Sequence, residues 1–230
     1  MNELVNSLRG GIIISCQATP SDPTYGPAFM AAFATAAKIG GAVGIRASGA
    51  EDVAAVKQAA GLPVIGIWKR PCADGTGPII TPTVEDAQRL KEAGADIIAA
   101  DVSDRPRPAG LDAVTLIKRI RTEVGLPFMA DCANLEEALR AQDAGADIAA
   151  TTMALPSWLG PYQPHLDLLQ EMVATLHIPI IAEGQYWDPE NMERAFAAGA
   201  LAVVIGSAVT RPWLITQRYV AASPRGQDQD

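Results

Sequence analysis

The 230-residue chain is poor in several things on which common functions depend. It has only three cysteines, Cys16, Cys72 and Cys132, with no CxxC pair and an odd total. That argues against a zinc site or a disulfide framework and for a reducing, cytoplasmic setting. Its two histidines, His165 and His177, lie in a loop and just before an apolar run, which argues against histidine catalysis. No lysine/arginine run is present and the net charge is −8, so nucleic acid is not the expected partner. A few converging cations can still bind an anion on an acidic protein. The longest uncharged, largely apolar run, Ala195–Thr210, is glycine-broken and shorter than the ~20 residues a membrane helix needs. The amino terminus carries Glu3 and lacks a basic flank with a long apolar core, so it does not read as a secretory signal. No Ser/Gly/Pro-rich linker divides the chain. With 49% hydrophobic residues it is expected to form one α/β domain over residues 1–222, followed by a disordered tail over 223–230.

What is present is a repeat of strand entrances. Gly-Ala precedes an apolar run at Gly41, Gly94, Gly145 and Gly199, at spacings of 53, 51 and 54 residues. Leu-Pro or Ile-Pro precedes one at Pro63, Pro127 and Pro179, between the members of the first set. With Gly11–Ser15 this makes eight short, near-continuous apolar runs, as a sheet buried on both faces requires. Helical periodicity fills the gaps. Ala87, Leu90, Ala93 and Ile97 share a face after Thr83, and Leu135, Ala138, Leu139 and Gln142 do so after Asn134, a predicted cap. Asp188–Gly199 reads as a helix with Pro just inside its start and Gly just past its end. Eight such units predict a (β/α)8 TIM barrel. The competing open doubly wound sheet calls for a GxGxxG turn after its first strand, and Ser15–Thr19 is not one.

Barrel chemistry sits at the C-terminal ends of the strands. Those ends read Gln17, Arg46, Lys69, Asp101, Asp131, Thr151/Thr152, Glu183 and Gly206/Ser207, with Arg211 just beyond. Lys69 is either a rim lysine reaching for water or, desolvated beside Arg46 or Arg70, a proton-transfer group. Glu183 is either a partner for a rim cation or a second proton-transfer group. Strands three and seven lie opposite each other in a ring of eight, so the two face across the mouth, as inversion of one substrate carbon requires. Arg211 either caps a neighbouring helix or completes a phosphate cradle begun by the N–H groups of Gly184, Gly206 and Ser207. Gln17 and Arg46 either bond between strands or hold a carbonyl or enolate oxygen. Asp131 accepts from substrate hydroxyls or orients Lys69. Asp101, followed by Arg105 and Arg107, reads equally as a structural ion pair or a substrate contact.

Gly11–Ala18, Gly44–Ala47, Ile67–Arg70, Ile79–Thr83, Met129–Asp131, Ala182–Gly184 and Val204–Pro212 resemble, in order, the N-acetylmannosamine-6-phosphate 2-epimerase family of sialic-acid degradation. The resemblance runs from about Leu8 to Tyr219. It implies C2 epimerisation between N-acetylmannosamine 6-phosphate and N-acetylglucosamine 6-phosphate, with no metal or other cofactor, by a homodimer. It implies Lys69 and Glu183 as the proton-transfer pair. Gln17, Arg46, Asp131 and Thr151 become contacts to the N-acetyl group and hydroxyls, and Gly184, Gly206, Ser207 and Arg211 the phosphate site. Trp68, the Pro71–Pro78 loop and the Met153–Pro161 stretch with Trp158 depart from the family pattern, which bears on substrate preference. The rivals are another phosphate-binding barrel enzyme, which need not have the opposed pair, and a non-catalytic sugar-phosphate-binding barrel.

Overall fold

The computed structural model describes residues 2–73, 75, 77–156 and 159–224. Residues 225–230 of the expected tail, and Trp158, lie outside the described residues. Eight strands are β1 Gly11–Cys16, β2 Gly44–Ser48, β3 Val64–Ile67, β4 Ile97–Asp101, β5 Phe128–Asp131, β6 Ile148–Ala150, β7 Ile180–Glu183 and β8 Ala202–Ile205. They pair in parallel in sequence order, and β8 pairs with β1 to close the barrel. The helices are α1 Pro27–Ile39, α2 Ala50–Ala60, α3 Val84–Glu92, α4 Ala113–Arg119, α5 Leu135–Asp143, α6 Leu166–Thr175, α7 Pro189–Ala197 and α8 Pro212–Ala221.

The repeated entrance signals have backbone causes. Gly41, Gly94, Gly145 and Gly199 all have positive φ, between +89° and +101°. Each reverses the chain after a helix, a conformation that costs glycine no Cβ clash. Pro63, Pro127 and Pro179 stand just before β3, β5 and β7, where the missing N–H removes no ladder bond. Thr83 and Asn134 accept the N–H groups of Asp86 and Glu137, so the cap predicted at Asn134 is present and Thr83 caps the helix after it in the same way. Two predicted details change. Ile97 opens β4 rather than continuing a helical face, because α3 stops at Glu92 before Gly94. The third strand stops at Ile67, and Lys69–Pro71 instead forms an antiparallel ribbon with Pro78–Ile80.

Alternation along the strands divides the apolar residues into two cores. Ile13, Ile65, Ile67, Ile97, Ala99, Met129, Ile148, Ala150, Ile181 and Val204 fill the barrel interior, and Val5 and Leu8 of the amino-terminal segment close its lower end. Cys16, Ile45, Val64, Ile98, Phe128, Ile180 and Val203 pack outward against the helices. The same parity carries the interior upward to Ser15, Lys69, Asp131, Thr152 and Glu183, each two residues beyond an interior apolar residue. α8 departs from the pattern: with the described residues around it, none of its ten residues is buried. An apolar groove of about 630 Å³, lined by Ile12, Ile14, Phe33, Ala37, Met192 and Ile205, lies between α1 and α7. Among the described residues no helix is long and apolar enough to cross a membrane.

Candidate active site

The upper end of the barrel holds a cavity of about 290 Å³. Gln17, Lys69, Thr152, Glu183, Gly184, Gly206, Ser207 and Arg211 all line it, together with Ser15. Eight side chains or backbones from five strand ends thus converge on one space, although they are spread over nearly 200 positions of sequence.

Arg46 and Asp131 lie beneath this cavity rather than in its wall. Arg46 is 1% exposed and comes from the middle of β2. Its Nη1 donates to Asp131 Oδ1 at 3.0 Å and to Glu183 Oε2 at 2.8 Å, and its Nη2 donates to Asp131 Oδ2 at 2.7 Å. Burial works against the guanidinium charge, but the two carboxylates outweigh it and hold its pKa above the ordinary value. The bidentate fork fixes Asp131 as a fully buried anchor. Through Nη1 it also fixes one oxygen of Glu183, whose side chain remains 13% exposed to the cavity.

The β6 end resolves the choice between two threonines. Thr151 is 3% exposed, and its hydroxyl exchanges hydrogen bonds with the Glu183 backbone, donating to its carbonyl at 2.8 Å and accepting from its N–H at 3.0 Å. It ties β6 to β7 and does not reach the cavity. Thr152, in phase with interior Ile148 and Ala150, donates to Asp131 Oδ1 at 2.6 Å and lies 3.3 Å from Glu183 Oε2. Strand parity, already present in the sequence, points to Thr152 rather than Thr151. Asp101 is structural: fully buried, it accepts from the Ser103 N–H and from Arg105.

The proton-transfer candidates have shifted acidities. Burial first, and the Asp131 carboxylate with it, push Glu183 up to about 6; Arg46, Lys69 and the Thr152 hydroxyl oppose that rise. Lys69 stands exposed in the mouth by surface area, yet the surrounding walls strip much of its hydration. That desolvation comes first, followed by Arg46; with Arg211 they bring its pKa below the ordinary lysine value, against the pull of Glu183 and Asp131. A carboxylate moved up and an ammonium moved down approach the matched range that proton exchange with carbon acids favours.

Directly after Glu183, Gly184 follows β7 with φ +110°, and a Cβ there would meet Leu155 at 3.4 Å. Gly206 opens a short helix, Ser207–Thr210, that no described side chain caps. Arg211 follows directly, its Nη2 3.3 Å from Asp22 Oδ2. Asp22, in a turn with no distinguishing pattern, is a site-bordering residue the sequence does not announce. Gln17 Nε2 donates to Ser15 Oγ at 2.6 Å, while its buried Oε1 has no partner among the described residues.

Comparisons with known proteins agree with the barrel fold. A family model described as NanE, "Putative N-acetylmannosamine-6-phosphate epimerase", matches residues 30–224. Curated relatives carrying the corresponding 2-epimerase description include one from Caldanaerobacter subterraneus subsp. tengcongensis, 41% identical over 95% of this chain and 93% of its own. Another, from Clostridioides difficile, is 42% identical over 95% and 98%. The solved structure of the N-acetylmannosamine-6-phosphate 2-epimerase from Clostridium perfringens superposes with a TM-score of 0.89 at 35% identity, covering 96% of this chain and 97% of that one. The chain belongs to the N-acetylmannosamine-6-phosphate epimerase family.

Proposed function

We propose that the chain interconverts N-acetylmannosamine 6-phosphate and N-acetylglucosamine 6-phosphate by moving a proton off and back onto C2. The observation that carries this reading is the meeting of Lys69 and Glu183, from opposite sides of the barrel, in one cavity with their acidities drawn together.

The chemistry follows from the substrate. C2 is acidic when C1 is an open-chain aldehyde, since the electron pair of the broken C2–H bond then passes to the C1 oxygen as an enolate. One member of the pair, unprotonated, takes the C2 proton from one face. The other, protonated, delivers a proton to the opposite face, the enolate collapses to the aldehyde, and C2 is inverted. The pair holds one proton before and after, with its owner exchanged, and exchange with water after product release restores the starting form for the next turnover. Arg46 keeps one Glu183 oxygen fixed and leaves the carboxylate its remaining lone pairs for the substrate. The unpartnered Gln17 Oε1 complements the amide N–H of the N-acetyl group. The uncapped start of Ser207–Thr210, the open backbone at Gly184 and Gly206, and the Arg211 guanidinium form a complement for the 6-phosphate.

The chain is further proposed to act as a homodimer in a reducing, cytoplasmic compartment. The unburied α8 and the uncovered groove between α1 and α7 support the dimer, since the groove has the apolar character and position that an eighth barrel helix covers. Three free, buried thiols suit a reducing setting. Incubation with N-acetylmannosamine 6-phosphate should yield N-acetylglucosamine 6-phosphate, and the unphosphorylated sugar should turn over at less than about a hundredth of that efficiency, as loss of ~3 kcal/mol of charge-assisted contacts implies. A folded enzyme that forms no epimer would overturn the reading.

A further inference from the structure

The motif Ile79–Thr83 contributes nothing to the cavity wall, yet it contains a backbone outlier that bonds the residue before Lys69. Thr81 is fully buried and has φ +46°. It is β-branched and precedes Pro82, and both features oppose that conformation. A residue persists there only when its surroundings over-determine it, and such residues gather at functional sites.

The surroundings of Thr81 are the peptide that leads into Lys69. The Thr81 N–H donates to the Trp68 carbonyl at 2.7 Å, and the Trp68 N–H donates back to Thr81 Oγ1 at 3.0 Å. Both polar groups of Trp68 are therefore held by one residue. The Thr81 hydroxyl hydrogen goes to the Ala99 carbonyl of β4 at 2.6 Å. This matters because the pairing of β3 with β4 ends at Gly66↔Ile98. Beyond that point β4 no longer holds the chain directly, although β2 still pairs with Ile67, and Thr81 takes over the connection between β4 and the segment that carries the lysine. The antiparallel ribbon, with Lys69 paired to Ile80, continues the same support, and the Lys69 N–H reaches Ser48 Oγ at 3.4 Å.

We propose that Thr81 is a positioning residue for Lys69, its two-point clamp on the backbone of Trp68 setting the height and direction from which the lysine enters the cavity. The inference rests on Lys69 being one of the proton-transfer pair. The strained φ is then the cost of directing both the N–H and the hydroxyl of Thr81 at one residue.

The test uses Thr81→Val, which keeps the branched shape and loses the hydroxyl, and Thr81→Ser, which keeps it. Steady-state kinetics across pH on folded protein should show kcat lowered about 10–100-fold in the valine variant with KM within about twofold, since ångström-scale misplacement of a reacting group costs on that order. The alkaline limb of its pH profile should move up toward ordinary lysine, because a lysine released from its position regains water. The serine variant should stay within about threefold of wild type with the limb in place. Where the valine variant fails to fold, Thr81→Gly replaces it: glycine adopts φ +46° freely and lacks the hydroxyl. Wild-type kcat and an unmoved limb in either hydroxyl-free variant would overturn the proposal, as would a serine variant as impaired as valine. Lys69→Ala, measured in parallel, separates the two levels. If it retains turnover, the role of Lys69 is wrong; if it alone loses turnover, only the positioning role is wrong.

Discussion

Arg46 governs the site without entering it. A guanidinium this deeply buried is costly unless its carboxylate partners are exact in geometry, and removing one partner of such a cluster costs about 3–5 kcal/mol. The reward is a Glu183 held by one oxygen and raised to about 6 beside a lowered Lys69. The pH dependence follows from the direction of both shifts. Below about 6 both groups are protonated and no base remains; above the lowered Lys69 value both are deprotonated and no acid remains. Under the proposed mechanism the kcat/KM profile should therefore be bell-shaped, with its acid limb near 6. The Thr152 hydroxyl, shared between Asp131 at 2.6 Å and Glu183 Oε2 at 3.3 Å, favours the charged form of Glu183, so Thr152→Val should move the acid limb to higher pH. An unmoved limb would mean that the contact is energetically idle. At this scale the sequence reveals residue types better than their company. Lys69, Glu183, Gln17 and Arg211 are legible as strand-end groups. That Arg46 and Asp131 would spend their bonding on each other is not, because the choice depends on depth in the barrel, and Arg46 sits mid-strand.

Among the elements, the glycine after each helix is where the sequence speaks most directly. The Gly-Ala signals are visible because a positive φ selects glycine strongly, and the alternating Pro signals because proline just before a central strand removes no ladder bond. Gly199 adds a packing reason: a Cβ there would lie 2.8 Å from Val173 Cγ1. Gly199→Ala should therefore cost about 1–3 kcal/mol, a fall in Tm of roughly 2–10 °C, while the folded fraction keeps its kcat. An unchanged Tm would contradict this account of the repeat. The end of β3 was less legible. An apolar run into Trp68 and Lys69 looks like one strand, and the switch to a ribbon depends on Thr81 and Pro78–Ile80, nine to thirteen residues away, which no local pattern encodes.

The whole molecule is a barrel whose eighth helix has no fully buried residue among the described residues. Seven helices cover the sheet, and the apolar groove left between α1 and α7 is the surface on which a second copy is proposed to dock. Sedimentation at micromolar concentration should give twice the chain mass of 24.1 kDa, and removal of residues 212–230 should give the monomer. A full-length chain sedimenting as a monomer would refute the dimer without touching the chemistry. The chemistry has its own measurement: proton NMR of N-acetylmannosamine 6-phosphate in D₂O with the wild-type enzyme and with Lys69→Ala. Deuterium should appear at C2 as the N-acetylglucosamine epimer accumulates, and its rate should fall at least about 10²–10⁴-fold in the variant, the usual span of a lost acid–base group. Epimer formed with C2 still carrying its original proton, or equal exchange in the variant, would contradict proton transfer through Lys69 and Glu183.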